Sequence, residues 1–362
     1  MMTSYTHAGM LAELAAIAER AQHVRVDRKQ LARVAGIMRS RVHLDDIPVP
    51  RDSPDLEPAA LLQFYLVAGA HNFLIWQRDD TGAVRPWSAY ISGEQRFGAP
   101  AISACHIRAL REGRNILDPD YLSSMTLTDM EAYYRDERTG LVTLQFIPER
   151  LAKFQEIGRA LRERYDGSFV TMLERAEGFL FRADGQGIAQ QLLNNFPLSY
   201  GDWPFCKLIM VALSHLYHER DTLFPEGSRY RALVDLQDPE SLEVGADYYR
   251  PFFLYRVGVL RISEEFRQRL TGQQLIDRDG PIEREYRAWT ILATRALADH
   301  LGVLSHELAQ ELWAMAFMRC RPCYVGVPED EVPCSYRRIC HSYNEDTALM
   351  QARWPLVLTS WY

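Results

Sequence analysis

The chain has 362 residues, 47% of them apolar and 11% aromatic, so it carries enough apolar material for a substantial folded core. With 48 acidic against 41 basic residues its formal charge is -7, which argues against a surface built to hold long nucleic acid, because such binding neutralises many phosphates at once. A small anionic ligand remains compatible with this balance. Acidic residues run through the apolar part of the N-terminal segment, so it reads as an amphipathic helix and not as a secretory signal. No apolar run approaches the ~20 residues of a membrane span. Six cysteines, unevenly spaced, do not make a disulfide framework in a chain of this length. The expected location is the cytoplasm, with reduced thiols.

In chain order, helices are expected over residues 9–22 and 58–70, followed by the segment HNFLIW (His71 to Trp76). A short strand is expected over Phe73 to Gln77, turning at Asp80, Thr81 and Gly82. Asn72, Phe73 and Trp76 read either as core and backbone-satisfying residues or as a recognition cluster. After a helix over 104–112 and a strand over Leu141 to Phe146, the spacing of Ile147, Leu151, Phe154, Leu161 and Tyr165 predicts a helix with Pro148 in its first turn. The tract ERYDGSF ends that helix at Gly167 and starts another, over 168–182, with Ser168 as its cap. The GQG at 185–187 lacks the preceding strand and third glycine of a dinucleotide site.

In FPLSYGDWPFCKLIM, Asp202 stands before a helix over 204–219 that carries Lys207 on an apolar stretch, where the ammonium either snorkels to solvent or awaits an anion. The tract GADYYRPFFLYRVGVL sets Asp247 among Tyr248, Tyr249, Phe252 and Phe253 at the mouth of a helix. Asp247 suits a helix cap and equally a preorganised catalytic carboxylate; Arg250 suits a phosphate or an acid partner. Trp289, Leu292, Ala296, Leu297 and Leu301 share one face of a further helix that stops at Gly302, and a helix over 305–318 follows. Loop-like stretches are expected at 44–57, 79–100 and 220–243. Cys320, Cys323, Cys334 and Cys340 contain one C-x2-C pair and read as free thiols or as a zinc site; free thiols, with no metal and no other cofactor, are the expectation. The organisation read from these elements is one mainly α domain over 1–323, with a few short strands, and a C-terminal extension over 324–362.

HNFLIW, IPERLAKFQEIGRALRERYDGSF, FPLSYGDWPFCKL, GADYYRPFFLYRVGVL and IEREYRAWTI, in this order, resemble the queuosine salvage protein family, the queuosine 5′-phosphate N-glycosidases. The resemblance implies a mostly helical fold akin to helix-hairpin-helix DNA glycosylases. It also implies hydrolysis of the bond between a ribose phosphate and queuine, so that the partner is a small nucleotide, with neither long nucleic acid nor membrane. By position Asp247 looks like the catalytic aspartate and His43 like a histidine that contacts the base. Asn72, Phe73, Trp76, Asp202, Lys207, Tyr248, Arg250 and Gln310 complete the expected substrate-binding set. Around Leu312 and Trp313 the family's polar residues are replaced by Ala309, Gln310 and Ala314, so the resemblance leaves two expectations for the base: a simpler 7-deazaguanine, or queuine bound differently. The alternatives are a non-catalytic helical relative that binds a nucleotide or a protein, and a zinc-bearing glycosylase of nucleic-acid bases.

Overall fold

The computed structural model describes residues 5–39, 53–321, 323 and 334–362. The fold is mainly helical; the strands among the described residues are short and pair into three two-stranded antiparallel ribbons. Two compact units account for the chain: residues 5–7, 53–241 and 360–362 form one, and residues 8–39, 242–321, 323 and 334–359 the other. Two helices open the chain, α1 (His7–Glu19) and α2 (Arg28–Arg39), with strand β1 (Val24–Val26) between them.

The first unit begins with α3 (Pro58–Gly69), where proline opens the helix at a position whose amide has no intrahelical acceptor to lose. Ribbons β2 (Trp76–Arg78) with β3 (Val84–Pro86), and β4 (Ser88–Ile91) with β5 (Glu94–Phe97), follow, then α4 (Gly98–Arg111), α5 (Pro119–Ser124) and α6 (Leu127–Tyr134). Asp118 and the Thr126–Asp129 capping box start α5 and α6. α7 (Ile147–Arg164) packs against α5 at Gly158, where a Cβ would sit 2.5 Å from both the Pro119 carbonyl and the Ser123 amide. α8 (Phe169–Ala176), α9 (Ile188–Asn195), α10 (Pro197–Tyr200), α11 (Lys207–Leu223) and α12 (Arg229–Ala232) complete the unit.

Several expectations are corrected here. Residues 141–146 form no strand: the Gln145 side chain donates to the Trp76 carbonyl, and Phe146 takes a left-handed conformation that turns the chain into α7. The strand expected at Phe73 begins only at Trp76, because the 71–74 backbone is held by side-chain hydrogen bonds. The 79–100 stretch is largely ribbon, and the following helix starts at Gly98, not at 104. The helix from Ser168 stops at Ala176, because Glu177 and Gly178 both enter the left-handed region. Lys207 begins the helix expected from 204.

In the second unit, α13 (Tyr249–Arg256), β6 (Leu260–Ile262), α14 (Glu264–Thr271) and α15 (Pro281–Leu301) follow one another, and β6 pairs with β1. Gly302, at φ +74°, closes α15 as expected. Buried Glu285 on α15 accepts the amides of Gln22, His23 and Val24, which ties β1 to that helix. The helix expected over 305–318 is three pieces: a 3-10 turn (Ser305–Leu308), α16 (Ala309–Ala314) and a π turn (Met315–Arg319). Over its described part, 334–359, the C-terminal stretch packs into this unit through the Tyr336 ring on Phe253 and the Arg267–Asp346 ion pair. No helix among the described residues is long and apolar enough to cross a membrane.

Candidate active site

Asp247 stands at the start of α13 with a residue exposure of 7%. Its Oδ1 accepts the amides of Tyr249 at 2.9 Å and Arg250 at 3.1 Å, so the carboxylate caps the helix. Its Oδ2 takes a charge-assisted bond from Arg250 Nη1 at 2.8 Å. The same nitrogen donates to the Gly245 carbonyl at 2.7 Å, and Arg250 Nε donates to the Ala309 carbonyl of α16 at 3.2 Å. From α15, Arg287 Nε reaches the Ala246 carbonyl at 3.2 Å. Two arginines on two helices thus hold the three residues 245–247, and the helix-capping amides add positive partial charge beside the carboxylate. Arg250 pairs with an acid in this arrangement, one of the two partners its sequence position suits.

Aromatic rings continue this site within the second unit. Tyr248 stacks on Trp354 at 5.9 Å, and Tyr249 touches Tyr248, Trp354 and Phe317. Trp313 and Phe317, both partly exposed, stack in parallel at 4.8 Å. Gln310 is half-buried beside Ala309, whose carbonyl receives Arg250.

The first unit gathers four other expected residues. Lys207 donates from Nζ to the Asn72 carbonyl, and its own amide binds Asp202 Oδ2 at 3.1 Å. Phe73 is fully buried, with the Arg150 guanidinium 4.0 Å and the Lys153 ammonium 4.6 Å from its ring centre. Trp76 lies buried in β2. His43 lies outside the described residues.

Sequence reasoning passed over Arg150 and Lys153, although charges three apart beside Phe154, on the buried side of a helix, are a readable signal. It also passed over His71 and His106. His71 sits between the Tyr134 hydroxyl (Nδ1, 2.7 Å) and the Arg150 carbonyl (Nε2, 2.9 Å). A carbonyl only accepts, so Nε2 carries the proton and Nδ1 accepts from the tyrosine. Burial, then the charges nearby, push the basicity of His71 well below the usual histidine value, and burial with Arg150 pushes that of His106 down to about 3.

Among the described residues no group of three His, Cys, Asp or Glu side chains is placed to hold a metal ion. The six cysteines are free thiols, and burial pushes that of Cys320 up to about 12.

A mainly helical protein with a clamped, nearly buried carboxylate in aromatic surroundings is the class these features define. Residues 53–213 match the family model described as queuosine salvage protein. Relatives named queuosine 5′-phosphate N-glycosylase/hydrolase include one from Sphaerobacter thermophilus, 28% identical over 312 residues, with 83% of this chain and 88% of the relative covered. One from Mus musculus is 25% identical over 342 residues, covering 88% and 96%. One from Nematostella vectensis is 26% identical over 240 residues, covering 66% and 65%. Over residues 53–213 the chain is thus similar to the queuosine salvage proteins, and these relatives extend the similarity over most of its length.

Proposed function

We propose that this protein is a hydrolase that cleaves the N-glycosidic bond of queuosine 5′-phosphate, or of a related 7-deazaguanine nucleotide, and releases the free base for salvage into tRNA modification. The observation that carries the reading is the family match together with the name its relatives share, since a helix-capping carboxylate alone would fit a structural cap equally well. A helical fold of the helix-hairpin-helix DNA glycosylase kind, a cytoplasmic setting and a small nucleotide partner belong to the same proposal.

Asp247 is the catalytic carboxylate in this reading. As the bond from C1′ to the base breaks, its electrons leave with the base and positive charge builds on the ribose. A carboxylate already fixed by Arg250 and two amides stabilises that charge without reorganising, and such electrostatic contributions are worth ~3 to 4 kcal/mol per group. Water then adds its oxygen to C1′; one of its protons passes to the base nitrogen and the other stays on the new C1′ hydroxyl. A 7-deazapurine lacks the ring nitrogen that purines protonate on leaving, so contacts to the base must assist. Tyr248 and Gln310, with Asn72, Phe73, Trp76, Asp202 and His43, are proposed for that recognition. Of the two cations expected for the 5′-phosphate, Lys207 is proposed, since Arg250 is engaged by Asp247.

Hydrolysis in ¹⁸O-labelled water tests this chemistry: label should appear at C1′ of the released ribose 5-phosphate and not in the base. Nucleotide binding without any release of base would favour the non-catalytic alternative.

A further inference from the structure

α7 carries two buried cations three residues apart, and their surroundings answer them differently. Arg150 is fully buried and donates to the carbonyls of Gln145, His71, Phe73 and Leu74, so its charge is spread over the peptide dipoles that hold the 71–74 turn. Lys153, 1% exposed, has one hydrogen bond, from Nζ to the Ser199 carbonyl at 3.1 Å, and otherwise lies against the rings of Phe73 and Trp361. An ammonium has three donors, and burying one without a counter-charge is costly.

The charged and titratable groups around Lys153 are Arg150 and Glu156 of its own helix, His71 of the turn after α3, Asp202 of the loop before α11, and Lys207 of α11. Both carboxylates already serve backbone amides: Glu156 accepts from Leu198 and Ser199, and Asp202 from Lys207. Lys207 is itself 3% exposed and meets the carbonyl of Asn72, the residue next to Phe73. Two ammonium groups therefore converge on the Asn72–Phe73 turn, one on its carbonyl and one on its ring.

We propose that Lys153 and Lys207 form a two-lysine subsite for a phosphomonoester dianion, Lys207 making the contact and Lys153 acting as the positioning cation behind it. The proposal rests on the nucleotide reading above and adds Lys153 to it. Burial, reinforced by Arg150 and Lys207, holds the basicity of Lys153 well below the usual lysine value in the free protein. A bound dianion adds negative charge to that of Asp202 and Glu156, so binding draws a proton onto Lys153 from solvent.

Calorimetry of the full chain with inorganic sulfate tests this, because sulfate is a tetrahedral dianion that does not itself titrate near neutral pH. Titrations at one pH in two buffers of different ionisation enthalpy should show net proton uptake by the unaltered protein. Lys153→Met should abolish that uptake and weaken binding on the order of tenfold. The ratio of kcat/KM for queuosine 5′-phosphate over queuosine should fall by a similar factor in the variant, with KM the parameter that moves. Sulfate binding without proton uptake by the unaltered protein would overturn the proposal, and needs no variant to fold. So would unchanged sulfate affinity in Lys153→Met, or an equal loss with nucleotide and nucleoside. Proton-linked sulfate binding in a protein that hydrolyses no nucleotide would sink the proposed function and leave the subsite standing.

Discussion

Arg250 Nη1 lies 2.8 Å from Asp247 Oδ2 and 2.7 Å from the carbonyl of Gly245, so one nitrogen fixes both a carboxylate and the loop that carries it. A helix cap that used only the amides of Tyr249 and Arg250 would leave Oδ2 free to rotate with the side chain. With the guanidinium in place, both oxygens have fixed directions before any substrate arrives.

Asp247→Asn separates capping from chemistry. The amide oxygen can still accept from Tyr249 and Arg250, so the circular dichroism spectrum should stay close to that of the unaltered protein, while the melting midpoint should fall because the buried Arg250 loses its counter-charge. Base release should fall ~100- to 1000-fold or more. Turnover within a few-fold of the original would remove Asp247 from the catalytic role.

Arg250→Met leaves the Asp247 carboxylate buried without its partner, with both side chains at 10% exposure or less. Breaking such a pair from one side costs ~3 to 5 kcal/mol, which urea unfolding would read directly. A loss under ~1 kcal/mol would mean that the clamp is dispensable for the fold.

Gly158→Ala tests the contact between α5 and α7. Alanine raises helix propensity by roughly 1 kcal/mol, yet its Cβ would meet two backbone atoms at 2.5 Å, and backbone cannot move aside as a flexible side chain can. Overpacking should win, for a net loss of ~2 to 3 kcal/mol. A stabilised variant would contradict this helix pairing.

Acid stability follows from His71 and His106. The fold keeps both neutral, so between pH 6.5 and the depressed folded value, about 3 for His106, the unfolded chain binds protons that the folded chain does not. Stability is therefore fully present above 6.5 and falls as pH drops through that window, by at most ~1.4 kcal/mol per pH unit for each histidine. Carboxylates held low by hydrogen bonds, such as Asp129, act only below their ordinary values, whereas Asp238, raised by burial, runs the opposite way. Urea midpoints of His106→Phe between pH 4.5 and 6.5 should show a shallower slope than those of the unaltered chain. An identical slope would mean that His106 titrates normally.

Long periodic segments were legible in the sequence because their pattern is local. Ile147 to Tyr165 and Pro281 to Gly302 became α7 and α15, and Ser168 caps α8 as its position suggests. The 141–146 stretch failed because a strand needs a partner, and the Gln145 side chain and Phe146 backbone commit it elsewhere. Asp247 stood out for its aromatic neighbours and cap position, but Arg250 as its clamp was only one of two partners open to it. The histidine–tyrosine pairs of His71 and His106 were invisible: their partners lie 27 to 63 residues away, and only folding brings them together.

The most direct test is to incubate the protein with queuosine 5′-phosphate and follow free queuine by mass spectrometry over time. The account predicts queuine and ribose 5-phosphate in equal amounts, lost in Asp247→Asn. No free base from queuosine 5′-phosphate or any other 7-deazaguanine nucleotide, in a protein that is folded and monodisperse, would contradict it.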